Sequence, residues 1–177
     1  MRRTRGLIGS LLLFALLALV LLTDLEGGQN GPGEPAEERG TRHEEPVRAF
    51  VTRVVDGDTV EVTIDGQQED VRYIGIDTPE TVNPGEPVQC FGPQSSAANK
   101  RLVEHRTVRL VFDRERRDVY GRLLAYVYAG DRFVNARLVR LGYARTLTIA
   151  PNVAHAGLFH RLARAAGRAG AGLWRAC

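Results

Sequence analysis

VRAFVTRVVDGDTVEVTIDGQQEDVRYIGIDTPE, residues 47–80, is the stretch that decides the fold. Short apolar runs rich in β-branched residues alternate there with turn dipeptides. That pattern predicts strands at residues 48–55, 59–64 and 68–76. The turns fall at Asp56-Gly57 and Asp65-Gly66, dipeptides that accept the backbone of a tight hairpin. A Pro/Gly-containing loop over 78–93 leads into an expected helix at 94–105, with Ala97, Ala98, Leu102 and Val103 near one face. Residues 107–112 alternate as Val108, Leu110 and Phe112, a fourth strand, and residues 123–129 make a fifth after a charged loop. A short helix is expected at 134–141, stopped by Gly142. Asn152 is expected to cap a last helix running to about Arg168. Five strands with one helix before the fourth and others after the fifth describe an α+β domain, a five-stranded OB-fold β-barrel carrying three helices.

Upstream the character changes. Residues 1–24, MRRTRGLIGSLLLFALLALVLLTD, place three arginines before an apolar run from Leu7 to Leu22. At 1.5 Å per residue this run reaches roughly 24 Å, short of the ~30 Å hydrocarbon core of a bilayer. Residues 1–22 therefore read as a signal peptide or a short membrane anchor, with the remainder outside the cytoplasm. Residues 23–46 are rich in Gly, Glu, Pro and Gln and have almost no apolar side chains, the composition of a disordered acidic linker. Its seven acids and two arginines give −5, and the N-terminal segment gives +3. The chain total of +3 then leaves 3 − 3 + 5 = +5 for the domain at 47–177. A compact basic domain suits a polyanionic partner.

The chain has two cysteines. In an exported protein Cys90 and Cys177 are candidates for a disulfide. No CxxC pair points to zinc, and His155 and His160, five apart, would diverge by roughly 140° on a helix.

Three clusters carry chemistry: DGDT at 56–59, VRYIGIDTPET at 71–81 and DVYGR at 118–122. Each alone is explained as a turn, with a proline or a solvated arginine attached. Together they gather two acids beside strand ends and two arginines. Arg72 precedes Asp77 by five on one predicted strand, which puts the two on opposite faces unless the strand breaks between them. Gly75 is the candidate for that break. An EF-hand is excluded: counting from Asp56, position five is Val60 and position twelve is Gln67.

These strings, with FGPQSSAANKRLVE, FVNARLVRLGYA and the closing GLW, resemble the thermonuclease (staphylococcal nuclease) family across nearly all of residues 47–177, in the same order. The resemblance implies an OB-fold hydrolase, a Ca²⁺-dependent nuclease of DNA and RNA that leaves 3′-phosphate ends. By position it implies that Asp58, Asp77 and the Thr78 carbonyl bind the metal, with Asp56 shaping the site. It implies that Glu80 contacts the attacking water, that Arg72 and Arg122 hold the scissile phosphate, and that Tyr120 lies near a phosphate of the nucleotide. An oxygen-only donor set suits a hard dication, and arginine's planar fork suits phosphate. One stretch departs from the family. ARTLTIAP, residues 144–151, places Leu147 and Ile149 where base-stacking aromatic rings would lie. The alternative to an active, monomeric enzyme is a non-catalytic OB-fold module that only binds nucleic acid, and that reading would expect losses among these carboxylates and arginines.

Overall fold

The computed structural model describes residues 45–81 and 87–177. The sequence-predicted signal or anchor at 1–22, and residues 23–44 of the predicted linker, lie outside the described residues.

Strands β1 (Val47–Val54), β2 (Thr59–Ile64) and β3 (Gln67–Tyr73) form an antiparallel meander. β4 is the two-residue strand Ile76–Asp77. After helix α1 (Gly92–Val103), β5 (Thr107–Val111) pairs antiparallel with β1, and β6 (Leu123–Ala129) pairs with β5. A parallel pairing of β6 with β3, Val71 opposite Leu123, closes the five strands into a barrel. Short strand β7 (Arg132–Phe133) leads into α2 (Val134–Arg140), and β8 (Arg145–Thr146) pairs with β4. Helices α3 (Ala156–Ala169) and α4 (Leu173–Ala176) end the chain.

The barrel interior follows from alternation. Val60 and Val62 on β2, Val71 on β3, Leu110 on β5 and Val127 on β6 are fully buried. Strand β1 departs from period two, because Ala49 and Val51 point inward and so does Val54. A register shift between Val51 and Arg53 accounts for this, since the extra residue of a bulge moves the next side chain to the other face. Two buried asparagines stitch helices to the barrel. Asn135 on α2 accepts from the Val127 amide at 2.9 Å and donates to the Ile74 carbonyl at 2.9 Å. Asn99 on α1 accepts from the Tyr73 hydroxyl at 3.1 Å and donates to the Asp56 carbonyl at 3.1 Å.

Three expectations are corrected. The predicted third strand does not run to Ile76. It stops at Tyr73 and turns at Gly75, with φ +81°, before Ile76–Asp77 pairs elsewhere. A Cβ on Gly75 would lie 2.4 Å from the Phe159 ring of α3, so the turn needs both the open backbone and the missing side chain. At Asp65-Gly66 both residues have positive φ, as a two-residue hairpin requires, but Asp56-Gly57 is part of a longer loop between β1 and β2. Gly57 is needed there for space, because a Cβ would lie 2.6 Å from the Thr78 hydroxyl. Finally, Asn152 caps no helix. Its side chain holds the Glu115 amide and carbonyl, each at 2.8 Å, and α3 begins only at Ala156.

Cys90, just before α1, is joined to Cys177 at the C-terminus by a disulfide that closes a separation of 87 residues. In the chain-entropy account a loop of that size is worth ~4–5 kcal/mol through the unfolded state. Reduction, or the Cys90→Ser/Cys177→Ser pair, is expected to lower Tm by at least ~5 °C. An unchanged calorimetric melting curve would mean that the bridge contributes nothing to stability.

Candidate active site

The site grows from the β1–β2 loop. Asp56 Oδ1 accepts the Asp58 amide at 3.0 Å, which curls the loop and turns the Asp58 side chain inward. Asp58 is 3% exposed. Its Oδ2 accepts the Thr78 amide at 2.7 Å and the Thr78 hydroxyl at 3.0 Å, tying this loop to the segment after β4. The same oxygen lies 3.2 Å from Arg72 Nη1.

Arg72 settles the question of faces. Its side chain leaves β3 and curls around the Gly75 turn, donating from Nη1 to the Ile76 carbonyl at 3.0 Å and the Tyr73 carbonyl at 3.2 Å. Its Nη2 donates to Asp77 Oδ1 at 2.9 Å. One guanidinium thus brings together Asp58, Asp77 and the chain that carries Thr78.

Burial pushes the Asp58 carboxyl up to about 7; the Arg72 guanidinium opposes this and Asp56 reinforces it. When ionised, Asp56, Asp58 and Asp77 against Arg72 leave −3 + 1 = −2, the charge that one dication balances. The donors are all oxygen. Among the described residues no three His, Cys, Asp or Glu side chains form a group that could hold a metal ion. A set of two carboxylates and one carbonyl would leave positions for water and a phosphate oxygen. The residues fit a hard divalent cation in an open site.

The second arginine comes from the loop before β6. Asp118 Oδ1 accepts the amides of Tyr120 and Arg122, each at 3.0 Å, folding the DVYGR turn onto itself. Asp118 Oδ2 then receives Arg122 Nε and Nη2, each at 2.8 Å. This two-pronged pair fixes the plane of the Arg122 guanidinium. Tyr120 is 81% exposed, with Arg122 lying 5.4 Å from its ring centroid. Arg72 and Arg122 line one open cleft of about 330 Å³, with Tyr120, Leu147 and Ile149 also on its walls. The walls near the arginines are therefore largely aliphatic, as the ARTLTIAP stretch led one to expect.

Glu80 does not line that cleft. Its amide donates to Gln89 Oε1 at 3.1 Å, its carbonyl accepts the Gln89 amide at 3.0 Å, and its Oε1 accepts the Thr81 amide at 2.8 Å. The neighbouring Cys90–Cys177 bridge braces the end of this loop against the C-terminus.

A family model described as staphylococcal nuclease homologue matches residues 70–176. The chain belongs to the staphylococcal nuclease family. The matched span holds every residue of the site except those of the β1–β2 loop, which the Asp58–Thr78 and Asp58–Arg72 contacts join to it. The thermonuclease of Staphylococcus hyicus is 39% identical over 141 residues, 80% of this chain and 82% of that protein. The thermonuclease of Staphylococcus intermedius is 50% identical over 103 residues, 58% of this chain and 61% of that protein. Endonuclease YncB of Bacillus subtilis (strain 168) is 40% identical over 121 residues, 66% of this chain and 57% of that protein. The match thus spans less than two thirds of the latter two relatives.

Sequence reasoning gave no role to Asp118, although an acid four residues before an arginine in DVYGR was the available signal. Asp118→Ala is expected to lower kcat/KM on a phosphodiester substrate by roughly 10- to 100-fold, since a charged hydrogen bond contributes about 1.5–3 kcal/mol. Adding Asp118→Ala to Arg122→Ala should then cost nothing more. Additive losses in that cycle would show that Asp118 acts independently of Arg122.

Proposed function

We propose that this chain is a Ca²⁺-dependent, extracytoplasmic nuclease that hydrolyses phosphodiester bonds of DNA and RNA and leaves 3′-phosphate ends. The observation that carries the reading is the pair of arginines on one cleft, with Arg72 also bound to both candidate metal-ligating carboxylates. A structural calcium site needs the acids but has no use for two forked phosphate donors at one mouth, and a module that only binds nucleic acid needs the arginines but not the buried acids beside them. The names of the relatives, thermonuclease and endonuclease, support the same reaction class. The apolar segment at 7–22 supports export, whether it is cleaved or retained as an anchor.

Arg72 and Arg122 present planar donors to the phosphate oxygens from the end of β3 and from the loop before β6. Charge grows on those oxygens as water adds to phosphorus, so donors already oriented stabilise the transition state most. Asp118 keeps Arg122 in that orientation. Asp58, Asp77 and the Thr78 carbonyl would hold the dication, which when bound neutralises phosphate charge and polarises the ester. Glu80 orients or deprotonates the water. The attacking oxygen bonds to phosphorus, the bond to the 5′ oxygen breaks, and that oxygen leaves as a hydroxyl with a proton from solvent. Leu147 and Ile149 give a base an apolar wall but no aromatic face, and lost stacking costs ~1–3 kcal/mol per base. The enzyme therefore depends on phosphate contacts for affinity.

Full-length protein should cut DNA and RNA with Ca²⁺ present and stop when EGTA is added. Arg122→Ala is expected to lower kcat about 10²–10³-fold, or ~3–4 kcal/mol, by analogy with loss of one oxyanion donor. Asp58→Asn, which keeps the size of the side chain, should abolish metal-dependent cutting while the far-UV circular dichroism stays native. Full activity in that variant would sink the metal-site assignment. Binding without cleavage in any divalent metal would favour the non-catalytic OB-fold module.

A further inference from the structure

Residues 132–177 hold eight arginines and no lysine, aspartate or glutamate. The ion pairs Arg53–Glu61, Arg72–Asp77, Arg117–Glu69 and Arg122–Asp118 all lie earlier in the chain. A surface built for solubility intersperses both signs. This one does not, and its arginines are ordered into two adjacent features. Arg132, Arg137 and Arg140, from β7 and α2, line an open groove of about 360 Å³ together with Leu158 and Leu162 of α3. On α3 itself Arg161, Arg164 and Arg168 are exposed, and their spacing places them within about 60° of one another around the helix axis. None of these six makes an ion pair with any described residue.

The groove shares no lining residue with the cleft of Arg72 and Arg122. The two are nonetheless rigidly related. Phe159 packs under Gly75 at the cleft, while Leu158, its neighbour in sequence, lines the groove. A polyanion seated in one is therefore held in fixed register with the other.

We propose that the Arg132/Arg137/Arg140 groove and the α3 arginine stripe form a second binding site for the sugar–phosphate backbone of a nucleic-acid strand, away from the bond being cut. The use of arginine throughout favours phosphate, whose oxygens its fork bonds in pairs. An anionic membrane surface fits less well. The α3 stripe carries arginine, alanine and glycine with no large exposed apolar side chain to insert, whereas interfacial helices oppose their basic face with such residues. The second site also offsets the aliphatic side chains at 147 and 149, since affinity lost at one base is regained by contacts along the strand. The choice of polyanion rests on the nuclease reading. The existence of the site rests on the arginines.

Two full-length variants test it, Arg132→Gln/Arg137→Gln/Arg140→Gln and the surface-only Arg161→Gln/Arg164→Gln/Arg168→Gln. Binding to a long single-stranded oligonucleotide is measured by fluorescence anisotropy in EDTA, where nothing is cut, between about 50 and 200 mM salt. Each variant is expected to bind ~10-fold more weakly at the low-salt end, and its log–log salt slope should be shallower by ~2, three phosphates at ~0.7 each. With Ca²⁺, kcat/KM on the long strand should fall in parallel, while hydrolysis of a nitrophenyl phosphodiester of one nucleotide stays unchanged. Unchanged salt slopes in both variants would overturn the proposal. So would loss of binding to phosphatidylglycerol vesicles with DNA binding intact, which would assign the face to a membrane. If wild-type protein cuts neither substrate but the slopes shift as expected, the site stands and the nuclease reading falls.

Discussion

A carboxylate that folding takes out of water must be met by donors or by opposite charge, and Asp58 is where this protein accepts that requirement. Everything in the site is arranged to meet it. The Thr78 amide and hydroxyl, the Arg72 guanidinium and the Asp56-directed curl of the loop all converge on one side chain. The consequence is topological. Strand-end segments that the barrel would leave apart, the β1–β2 loop and the residues after β4, are tied together through a single oxygen. Replacing Asp58 by an apolar residue would orphan the Thr78 donors as well as remove a charge, so its cost falls on the shape of the site and on its chemistry together.

The barrel was legible in the sequence because its strands alternate cleanly and are separated by turn dipeptides. Val60, Val62, Val71, Leu110 and Val127 are inward where period two puts them. The expected strands at 59–64 and 123–129 carry the observed bounds, β2 Thr59–Ile64 and β6 Leu123–Ala129. Failures occur where a long-range contact overrides the local pattern. The third strand looked continuous to Ile76, since Tyr73, Ile74 and Ile76 are all apolar. Phe159, more than eighty residues later, packs where a Cβ on Gly75 would be, and no local reading contains it. The same holds at Asn152, whose side chain satisfies Glu115 across the structure instead of capping the next helix.

For the site, motif reading placed the residues and geometry supplied the relations. Arg72 and Asp77 are five apart, a spacing that contradicts a shared face on any regular strand. The Gly75 turn removes the contradiction, and the hydrogen bond between them then fixes how both are oriented. The part of Asp118 is not legible in the motif, because it is defined by bonding to the backbone and side chain of Arg122. Glu80 differs again. Its main chain bonds to Gln89 and its carboxylate accepts the Thr81 amide, contacts that a motif does not show.

The division of charge along the chain follows from these demands. The acids of the proposed metal site need one arginine near them and no more, because each further fixed cation would compete with a dication for the same oxygens. Arginines that serve the polyanion elsewhere must then be kept away from carboxylates, or they would be neutralised before substrate arrived. Segregation in sequence achieves this simply: apart from Asp131 the acids lie before β6, and in residues 132–177 arginine is the only fully charged side chain. The fold brings the two halves together through Phe159 against Gly75, an apolar contact that places a basic helix beside an acidic loop without pairing their charges. The proposed metal site and phosphate-binding face can share so small a barrel because the contact joining them, Phe159 against Gly75, is apolar.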